Sequence, residues 1–152
     1  MPEFSTRRRV QHSAANMFAL VADVEGYPEF VPLCQSLKVR RRTTENGREV
    51  IVADMTIAYK VVSETFTSRV TLERERLTIL VEYIEGPFRR MNNRWTFRPV
   101  DDKSCEVEFF LTYEFRSRTL GLLMGSVFDA AFRRFATAFE RRADQVYGTR
   151  VA

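Results

Sequence analysis

The sequence predicts an α+β fold in which one curved antiparallel β-sheet wraps around a long C-terminal α-helix. Three observations support this prediction. Apolar residues recur at helical spacing after a short opening strand, six segments between residues 36 and 115 alternate apolar and polar positions, and residues 118–148 return to helical spacing without a proline. The length of 152 residues predicts a single domain, residues 1–152.

The first elements are an opening strand and a helix. The strand is predicted over residues 3–10, EFSTRRRV, and Ser13 is a suitable N-cap for the helix that follows it. Apolar residues then recur at helical spacing in HSAANMFALVADV, and Gly26 is expected to end this helix.

Two prolines interrupt the apolar stretch YPEFVPLC, residues 27–34. Pro28 suits the first turn of a helix, where its missing N–H group needs no partner, whereas Pro32 limits the length of that helix. The stretch therefore predicts a second, very short helix. We interpret it as a lid over an apolar cavity, which the prolines keep short enough to open.

The period changes to two after Gln35, as expected for long antiparallel strands with one apolar and one polar face. Asn46-Gly47 is a strong signal for a hairpin turn, and Gly86-Pro87-Phe88 marks another turn. The predicted strands are SLKVRRRT (36–43), REVIVADMTIAY (48–59), VSETFTSRVTLE (62–73), RLTILVEYIE (76–85), RMNNRWTFRPV (90–100) and CEVEFFLTYEF (105–115).

The C-terminal segment, residues 118–148, predicts one long amphipathic helix with charged residues opposite an aromatic stripe. Four phenylalanines lie within a narrow arc of this helix, at about 100° per residue: Phe128, Phe132, Phe135 and Phe139. This stripe is expected to face the concave side of the sheet.

Composition indicates an aromatic-rich interior and a reducing compartment. Thirteen residues are phenylalanine, so the core must accommodate many flat rings. Cys34 and Cys105 have no metal-binding or redox spacing, and small secreted domains usually carry more cysteines. We therefore expect two packed thiols and a cytoplasmic location. No run of eighteen apolar residues is present, so we expect no membrane-spanning segment.

The basic residues are mostly arginines, and many occur in pairs or triplets. The net charge is +4, and only three of the 24 basic residues are lysines. A GC-rich genome produces the same bias. The other interpretation is a set of local patches for an anionic partner, either a membrane surface or RNA.

Few residues carry the chemistry of an enzyme. His12 is the single histidine and lies at a strand–helix junction, where a structural hydrogen bond is its expected role. Asp54 and Glu64 lie in apolar strands and would have raised pKa values if they faced the interior, but a solvent-facing position or an arginine partner is the simpler interpretation. No nucleotide-binding or serine-hydrolase motif is present. We therefore expect a binding protein, not an enzyme, with no cofactor and no metal.

Four segments carry a resemblance to a known superfamily over nearly the whole chain: HSAANMFALVADVEGYPEFVPLC (12–34), FTSRVTL (66–72), GPFRRMNNRWTF (86–97) and FFLTYEF (109–115). The chain resembles the START-like, helix-grip (SRPBCC) superfamily of lipid-binding and polyketide-cyclase-like domains. Within it, the chain is most similar to the coenzyme-Q-binding START family, which also contains the bacterial ribosome-association toxins. The resemblance implies a START-like helix-grip fold with a cavity for a hydrophobic quinone, but it does not choose between the quinone and ribosome branches.

The predicted ligand-binding residues are those expected to face the space between the sheet and the last helix, together with the lid. Apolar side chains there would remove an isoprenoid chain from water, at about 0.8 kcal/mol per buried CH₂ group. A quinone head also needs hydrogen-bond donors, for which the candidates are Tyr27, Tyr59, Tyr83, Asn93 and Trp95. The complete set is Tyr27, Phe30, Met55, Tyr59, Phe66, Tyr83, Asn93, Trp95, Phe97, Phe109, Phe128, Phe132 and Phe135.

Two functions follow from this interpretation. The first is a carrier or chaperone that binds ubiquinone or a related isoprenoid lipid and supports respiratory electron transport and quinone biosynthesis. Such a carrier would contact an anionic membrane peripherally, at its inner face, through Arg40, Arg41 and Arg42. The second is a protein similar to a ribosome-association toxin, which would bind ribosomal RNA of the large subunit and oppose subunit joining.

Overall fold

The computed structural model describes residues 3–148, and within them it confirms the predicted α+β architecture. Seven antiparallel strands form one curved sheet with the order β1-β7-β6-β5-β4-β3-β2, and a long helix lies against its concave face. The elements are β1 (Glu3–Val10), α1 (Ala14–Ala22), a 3₁₀ helix (Val24–Glu29), β2 (Cys34–Glu45), β3 (Arg48–Tyr59), β4 (Val62–Glu73), β5 (Thr78–Glu85), β6 (Phe88–Asp101), β7 (Ser104–Phe115) and α2 (Arg118–Tyr147).

Strands β2 to β7 form a meander in which each strand pairs with the next, and β1 pairs with β7. The segment from α1 to β2 therefore connects the two edges of the sheet. The first hairpin turns at Asn46 and Gly47, as predicted, with φ angles of 53° and 77°. These are the left-handed conformations that a two-residue hairpin turn requires.

The helices after β1 confirm the predicted pair, although their boundaries differ from the prediction. Helix α1 ends at Ala22 with Asp23 as its C-cap, so Gly26 lies inside the following 3₁₀ helix and does not end α1. Pro28 lies in the last turn of the 3₁₀ helix, not in its first turn. The fixed φ of proline is compatible with a 3₁₀ turn, which explains why the position tolerates it.

The turn between β5 and β6 depends on a glycine. Gly86 has a φ of 147°, and a Cβ atom added there would lie 2.5 Å from Cβ of Phe66. This close approach brings the rings of Phe66 and Phe88 together, with centroids 5.5 Å apart. The predicted turn is confirmed, and it also positions two aromatic residues on the concave face.

The core lies between the concave face of the sheet and the helices. Phe109, Leu111 and Tyr113 on β7 are buried, with less buried residues between them, as the predicted alternation requires. Helix α2 contributes its aromatic stripe to this core, and Phe128 and Phe139 are almost fully buried. Within residues 3–148, no helix has both the length and the apolar character needed to cross a membrane.

Candidate ligand-binding cavity

An internal cavity lies between the concave face of the sheet, α2 and the segment that precedes β2. Its volume is about 110 Å³, and its lining side chains are almost all aromatic or aliphatic. Burial of apolar ligand surface in such a space is favourable by roughly 25 cal/mol per Å². The arrangement is therefore suited to a hydrophobic group.

Most of the predicted ligand-binding residues line this cavity. They come from the lid, from the concave faces of four strands and from the aromatic stripe of α2. These residues are Tyr27, Met55, Phe66, Asn93, Trp95, Phe109, Phe128, Phe132 and Phe135.

Phe30 and Tyr59, two further predicted ligand-binding residues, lie outside the lining. The ring of Phe30 packs edge-on against Phe139, with centroids 5.0 Å apart, and borders a groove on the outer surface. Tyr59 is the last residue of β3, and 38% of its surface is exposed. Tyr59 has the same strand parity as Met55 and Ile57, but its position at the end of β3 leaves it exposed.

Tyr83 and Phe97, also predicted to bind the ligand, have structural contacts instead. The hydroxyl oxygen of Tyr83 accepts a hydrogen bond of 3.1 Å from the backbone N–H of Phe88, which fixes the β5–β6 turn. Phe97 is fully buried between Phe18 of α1 and Trp95, and it stacks on Trp95 with an interplanar angle of 6°. Phe97 therefore supports the cavity wall without being part of it.

The lining also contains residues that sequence reasoning missed. On the strands, most share the face of a predicted residue, as Ala53 and Ile57 do with Met55, so the same alternation could have found them. Pro32 and Leu33 could not be found in this way, because their position depends on the lid backbone. The missed residues are Val24, Val31, Pro32, Leu33, Leu37, Ala53, Ile57, Ser68, Val70, Val81, Phe88, Met91, Leu111, Ala131 and Phe139.

Trp95 is the centre of the aromatic wall. Its ring lies edge-on to Phe109 and Phe139, with centroid distances of 4.7 Å and 4.9 Å. Aromatic rings prefer such edge-to-face contacts, which are worth about 0.5–1.5 kcal/mol each beyond area burial. The wall is therefore a stiff surface against which a planar apolar group can lie.

Asn93 supplies the cavity with hydrogen-bonding capacity. Its Nδ2 atom donates a hydrogen bond of 2.8 Å to the backbone carbonyl of Phe110. An amide nitrogen carries two hydrogens, so Asn93 retains one N–H donor and its carbonyl oxygen for a ligand.

Tyr27 lines the cavity, but its hydroxyl group is already engaged. The hydroxyl donates a hydrogen bond to the backbone carbonyl of Val21. Burial, with a smaller contribution from the Asp23 carboxylate, raises the pKa of Tyr27 well above its usual value. The hydroxyl therefore stays protonated near neutral pH, and its proton is used within the protein.

In the structure the lid comprises residues 24–33, the 3₁₀ helix and the turn before β2, rather than the predicted 27–34. It is fastened at several points, among them the ion pair of Glu25 with Arg42 of β2. Arg142 of α2 forms an ion pair of 3.0 Å with Glu29 and lies over the ring of Phe30, 5.3 Å from its centroid. At the other end, the backbone carbonyl of Leu33 accepts a hydrogen bond of 3.0 Å from Ala58 N–H. Leu33 has a φ of 68°, a conformation that non-glycine residues rarely adopt. The lid thus ends in a strained residue that lines the cavity.

His12 has the structural role that the sequence predicts. It is almost fully buried, and its Nε2 atom lies 2.6 Å from Oδ1 of Asp144. The other ring nitrogen, Nδ1, has no hydrogen-bond partner among the described residues. The contact joins the β1–α1 junction to the C-terminal part of α2.

Asp54 lies on the outer face of the sheet, as the simpler interpretation of its sequence position predicts. Although partial desolvation opposes ionisation, hydrogen bonds from Thr67 and Arg40 hold the pKa of Asp54 below its usual value. Glu64 is half-buried near the start of β4 and is not among the lining residues. Neither carboxylate is therefore placed to act on a ligand in the cavity.

The two cysteines are free and buried, as predicted. Burial raises the pKa of both Cys34 and Cys105 to about 11, so neither thiol is activated near neutral pH. Among the residues that the structure describes, no three histidine, cysteine or acidic side chains come together as metal ligands.

The arginine triplet on β2 is largely occupied by ion pairs. Arg40 lies 2.7 Å from Asp54, and Arg42 lies 2.6 Å from Glu25. Arg41 is exposed and has no carboxylate partner within residues 3–148. The local positive charge is therefore smaller than the sequence suggests.

A second concave region lies on the outer surface, between the lid and α2. It is bordered by Phe30 and by three arginines of α2, Arg134, Arg141 and Arg142. Arg142 is paired with Glu29, whereas Arg134 and Arg141 have no carboxylate partner among the described residues. The region, which we call the arginine groove, is suited to phosphate or another anion.

Comparison with known proteins identifies relatives along most of the chain. The profile of the polyketide cyclase / dehydrase and lipid transport family matches residues 10–140. The ribosome association toxin RatA of Escherichia coli K12 is 34% identical over 150 residues, which cover 99% of this chain and 92% of the toxin. The mitochondrial coenzyme Q-binding protein coq10 of Schizosaccharomyces pombe is 26% identical over 141 residues, which cover 92% of this chain and 85% of that protein. The first relative is named for ribosome association and the second for coenzyme Q binding.

Solved structures share the fold at lower identity. A START superfamily protein from Mycobacterium smegmatis has a TM-score of 0.79 at 21% identity, covering 95% of this chain and 98% of that chain. The Zhui aromatase/cyclase from Streptomyces sp. R1128 has a TM-score of 0.78 at 17% identity, covering 95% of this chain and 94% of that chain. At these identities the likeness shows the START-like fold, which binding proteins share with a protein named as an enzyme.

Proposed function

This chain belongs to the polyketide cyclase / dehydrase and lipid transport family, and from that membership we propose that it is a carrier of an isoprenoid quinone. In this proposal the internal cavity holds ubiquinone or a closely related lipid. The protein binds and releases this lipid, and so supports respiratory electron transport and quinone biosynthesis. The proposal is in line with the coenzyme Q-binding relative, which is similar to this chain over most of its length.

The observation that carries the proposal is the combination of an aromatic wall with the amide of Asn93 in the cavity lining. Trp95, Phe109 and Phe139 present ring surfaces against which a planar quinone head can pack. Asn93 lies on the same strand as Trp95, two residues away, and has a free N–H donor for a quinone carbonyl. A ligand with a flat, carbonyl-bearing head and an apolar tail matches both features.

The tail supplies most of the expected affinity. Each CH₂ group moved out of water contributes about 0.8 kcal/mol, so a few isoprene units are sufficient for useful binding. A tail that extends beyond the cavity must pass the lid, which is tied to α2 by the exposed Arg142–Glu29 pair. Exposed ion pairs are weak, typically below about 1 kcal/mol, so opening the lid chiefly requires separating Tyr27 and Phe30 from Phe139.

We infer binding without catalysis. The lining residues within the described part of the chain include no carboxylate and no imidazole, and the proton of Tyr27 is held by Val21. General acid–base chemistry requires a titratable group within hydrogen-bond reach of the reacting atoms. The cavity lining offers a ligand a place to lie, but no group that would take or give a proton at neutral pH.

Two measurements test the quinone proposal. Protein purified from a quinone-producing host is extracted with organic solvent, and the extract is analysed by mass spectrometry for isoprenoid quinones. Lipid-free protein is then titrated with ubiquinone while the fluorescence of Trp95, the single tryptophan, is recorded. Absence of quinone in the extract together with no saturable quenching would exclude the carrier function.

A matched pair of asparagines sharpens this test. Asn93→Leu removes the amide from the cavity lining, whereas Asn92→Leu changes the neighbouring asparagine, which is exposed on the other face of β6. Loss of one hydrogen bond typically weakens binding by about 0.5–1.5 kcal/mol, so we expect several-fold weaker quinone binding for Asn93→Leu alone. Equal affinities of the two variants would show that Asn93 does not contact the head.

A second candidate function, ribosome association, is favoured by the RatA relative and by the arginine groove. The identity of 34% to that toxin extends over nearly the whole chain. Arg134 and Arg141 are available for phosphate groups, and phosphate contacts supply most of the non-specific affinity for nucleic acids. In this proposal the groove contacts ribosomal RNA of the large subunit and thereby hinders subunit joining.

Sedimentation with purified large ribosomal subunits tests the second candidate. We expect Arg134→Gln together with Arg141→Gln to reduce co-sedimentation, with a weaker dependence on salt. Arg69→Gln, on the outer face of β4, is the control. Unchanged co-sedimentation of the double variant would remove the groove from this role, and absence of any subunit binding would remove the function.

A further inference from the structure

Exposed apolar side chains are concentrated at one end of the sheet. We call this region the apolar end; it comprises the β3–β4 hairpin, the β5–β6 turn and the first two turns of α2. Among the described residues, eight large hydrophobic side chains are exposed, and five of them lie in these three segments. These five are Tyr59, Val61, Ile84, Leu122 and Leu123.

The three segments lie at the same end because of the meander topology. Strand β3 ends at Tyr59, β5 ends at Glu85, and β7 ends at Phe115, three residues before α2 begins. In an antiparallel meander, every second connection lies at the same end of the sheet. The apolar end is therefore one region of the molecular surface, built from segments far apart in sequence.

The leucines of this region have no role in the core. Leu122 and Leu123 are 80% and 63% exposed, and Val61 at the tip of the hairpin is 99% exposed. In the same part of α2, Met124 and Phe128 make the contacts with the core. Exposed apolar side chains concentrated in one region mark a surface that binds another apolar phase or molecule.

The apolar end adjoins the cavity. Ile57, Phe88 and Phe128 line the cavity. Each of them is close in sequence to one segment of the apolar end. Ile57 lies two residues before Tyr59, Phe88 follows the β5–β6 turn, and Phe128 lies five residues after Leu123. Each of the three segments of the apolar end is therefore close in sequence to a residue of the cavity lining.

Positive charge surrounds the exposed apolar side chains. The segments 59–64, 84–90 and 114–123 contain five basic and three acidic residues. Lys60, Arg116 and Arg118 have no carboxylate partner among the described residues, and Arg116 only donates to the backbone carbonyl of Phe88. Unpaired cations next to exposed leucines complement a surface with anionic headgroups above an apolar layer.

We propose that the apolar end is a docking surface for a lipid bilayer that contains anionic lipids. Val61, Leu122 and Leu123 enter the headgroup region, while Lys60 and Arg118 contact lipid phosphates. The docked orientation places the adjoining part of the cavity against the bilayer. The docking itself does not depend on which molecule the cavity holds.

Flotation with vesicles of phosphatidylcholine, with and without phosphatidylglycerol, tests this proposal on the full chain. We expect the wild type to float with the mixed vesicles at low salt and less at high salt, because exposed charges are screened within a Debye length. We expect Leu122→Asp with Leu123→Asp to lower the bound fraction on the order of tenfold or more, since two charges replace two inserted side chains. Val61→Asp is expected to act in the same direction.

The opposite end of the sheet provides the control. Val100→Asp changes an equally apolar side chain, 48% exposed, in the region of the β6–β7 turn, and is expected to float like the wild type. Lys60→Gln with Arg118→Gln should lose the preference for phosphatidylglycerol, whereas Arg41→Gln should keep it. Because all of these side chains are exposed, we expect each variant to remain folded. Urea unfolding of each variant checks this.

Three results would overturn the proposal. The first is that the leucine variant and the Val100→Asp variant float equally well. The second is that Arg41→Gln alone abolishes vesicle binding. The third is that the wild type does not bind vesicles at all, while the leucine variant has a different oligomeric state from the wild type. The last result would indicate a contact between copies of this chain. Titration of the leucine variant with a short-tailed ubiquinone in solution separates this test from the carrier function, because the cavity is unaltered.

Discussion

The ring of Tyr27 lies edge-on against the ring of Phe139, with centroids 5.4 Å apart and planes at 82°. Phe30 packs on Phe139 as well, at 5.0 Å, so one phenylalanine of α2 holds both aromatic residues of the lid. Tyr27 and Phe139 line the cavity, whereas Phe30 does not. The lid is therefore partly a ligand wall and partly ordinary core.

The first prediction separates these two roles. Phe139→Ala removes a buried ring that supports Tyr27, Phe30 and Trp95, and we expect it to lower the free energy of unfolding by about 3–5 kcal/mol. Phe30→Ala should cost less, because Phe30 is only half-buried. Urea unfolding measures both costs, and ubiquinone titration measures binding.

Quinone affinity is the second readout for the lid. We expect Phe30→Ala to retain the wild-type affinity, since Phe30 lies outside the lining. A stable Phe30→Ala protein that no longer binds quinone would instead support the sequence-based prediction that Phe30 contacts the ligand.

The second prediction concerns two glycines with opposite surroundings. Gly86→Ala forces a Cβ atom to within 2.5 Å of Phe66 Cβ at a φ of 147°, so we expect a loss of more than about 1 kcal/mol. Gly125→Ala, in α2, adds a Cβ atom that meets nothing within 4 Å and should stabilise the protein by up to about 1 kcal/mol. Urea midpoints measure both effects, and a destabilised Gly125→Ala variant would contradict the open space at that position.

The third prediction concerns the buried histidine. Asp144→Ala leaves Nε2 of His12 without its partner, and an unsatisfied buried polar group costs about 1–3 kcal/mol. Asp129→Ala is the matched control on the same helix, because its ion pair with Arg133 is exposed and contributes at most about 1 kcal/mol. Equal unfolding free energies of the two variants would show that the His12–Asp144 contact does not stabilise the fold.

Periodicity predicted the order of elements correctly, because buried residues recur every second position in the strands and at helical spacing in the helices. Strands β3 and β7 alternate between an inward and an outward face, and α2 carries one aromatic stripe. The predicted end of α1 at Gly26 was wrong, because a glycine there is equally compatible with the end of an α-helix and with a 3₁₀ turn. The glycine alone does not distinguish these two conformations, because the packing of the following segment on the core decides between them.

Strand parity predicted part of the cavity lining, although several lining residues on the same faces, such as Ala53 and Ile57, were not among those predicted. Met55 and Phe109 face inward and line the cavity, whereas Tyr59 has the same parity as Met55 but is exposed at the end of β3. Tyr83 shares the inward face but bonds to the backbone of the next turn. Neither the exposure of a residue at a strand end nor the hydrogen-bond partner of a single hydroxyl can be obtained from periodicity.

The last prediction uses the two buried thiols as probes of the closed fold. Burial raises the pKa values of Cys34 and Cys105 from 9.0 to about 11, so the folded state favours the protonated thiol. This contribution to stability is present below pH 9, where both states are protonated, and it is lost as the pH rises toward 11, because only the unfolded chain ionises there. We therefore expect urea midpoints to fall over this range and to fall less in the double variant Cys34→Ala with Cys105→Ala.

We also expect iodoacetamide to modify the folded protein at pH 8 far more slowly than the urea-unfolded chain, because the reactive thiolate is scarce and shielded. Equal modification rates of the folded and unfolded chains would show that the end of the lid, where Cys34 follows Leu33, is open in solution.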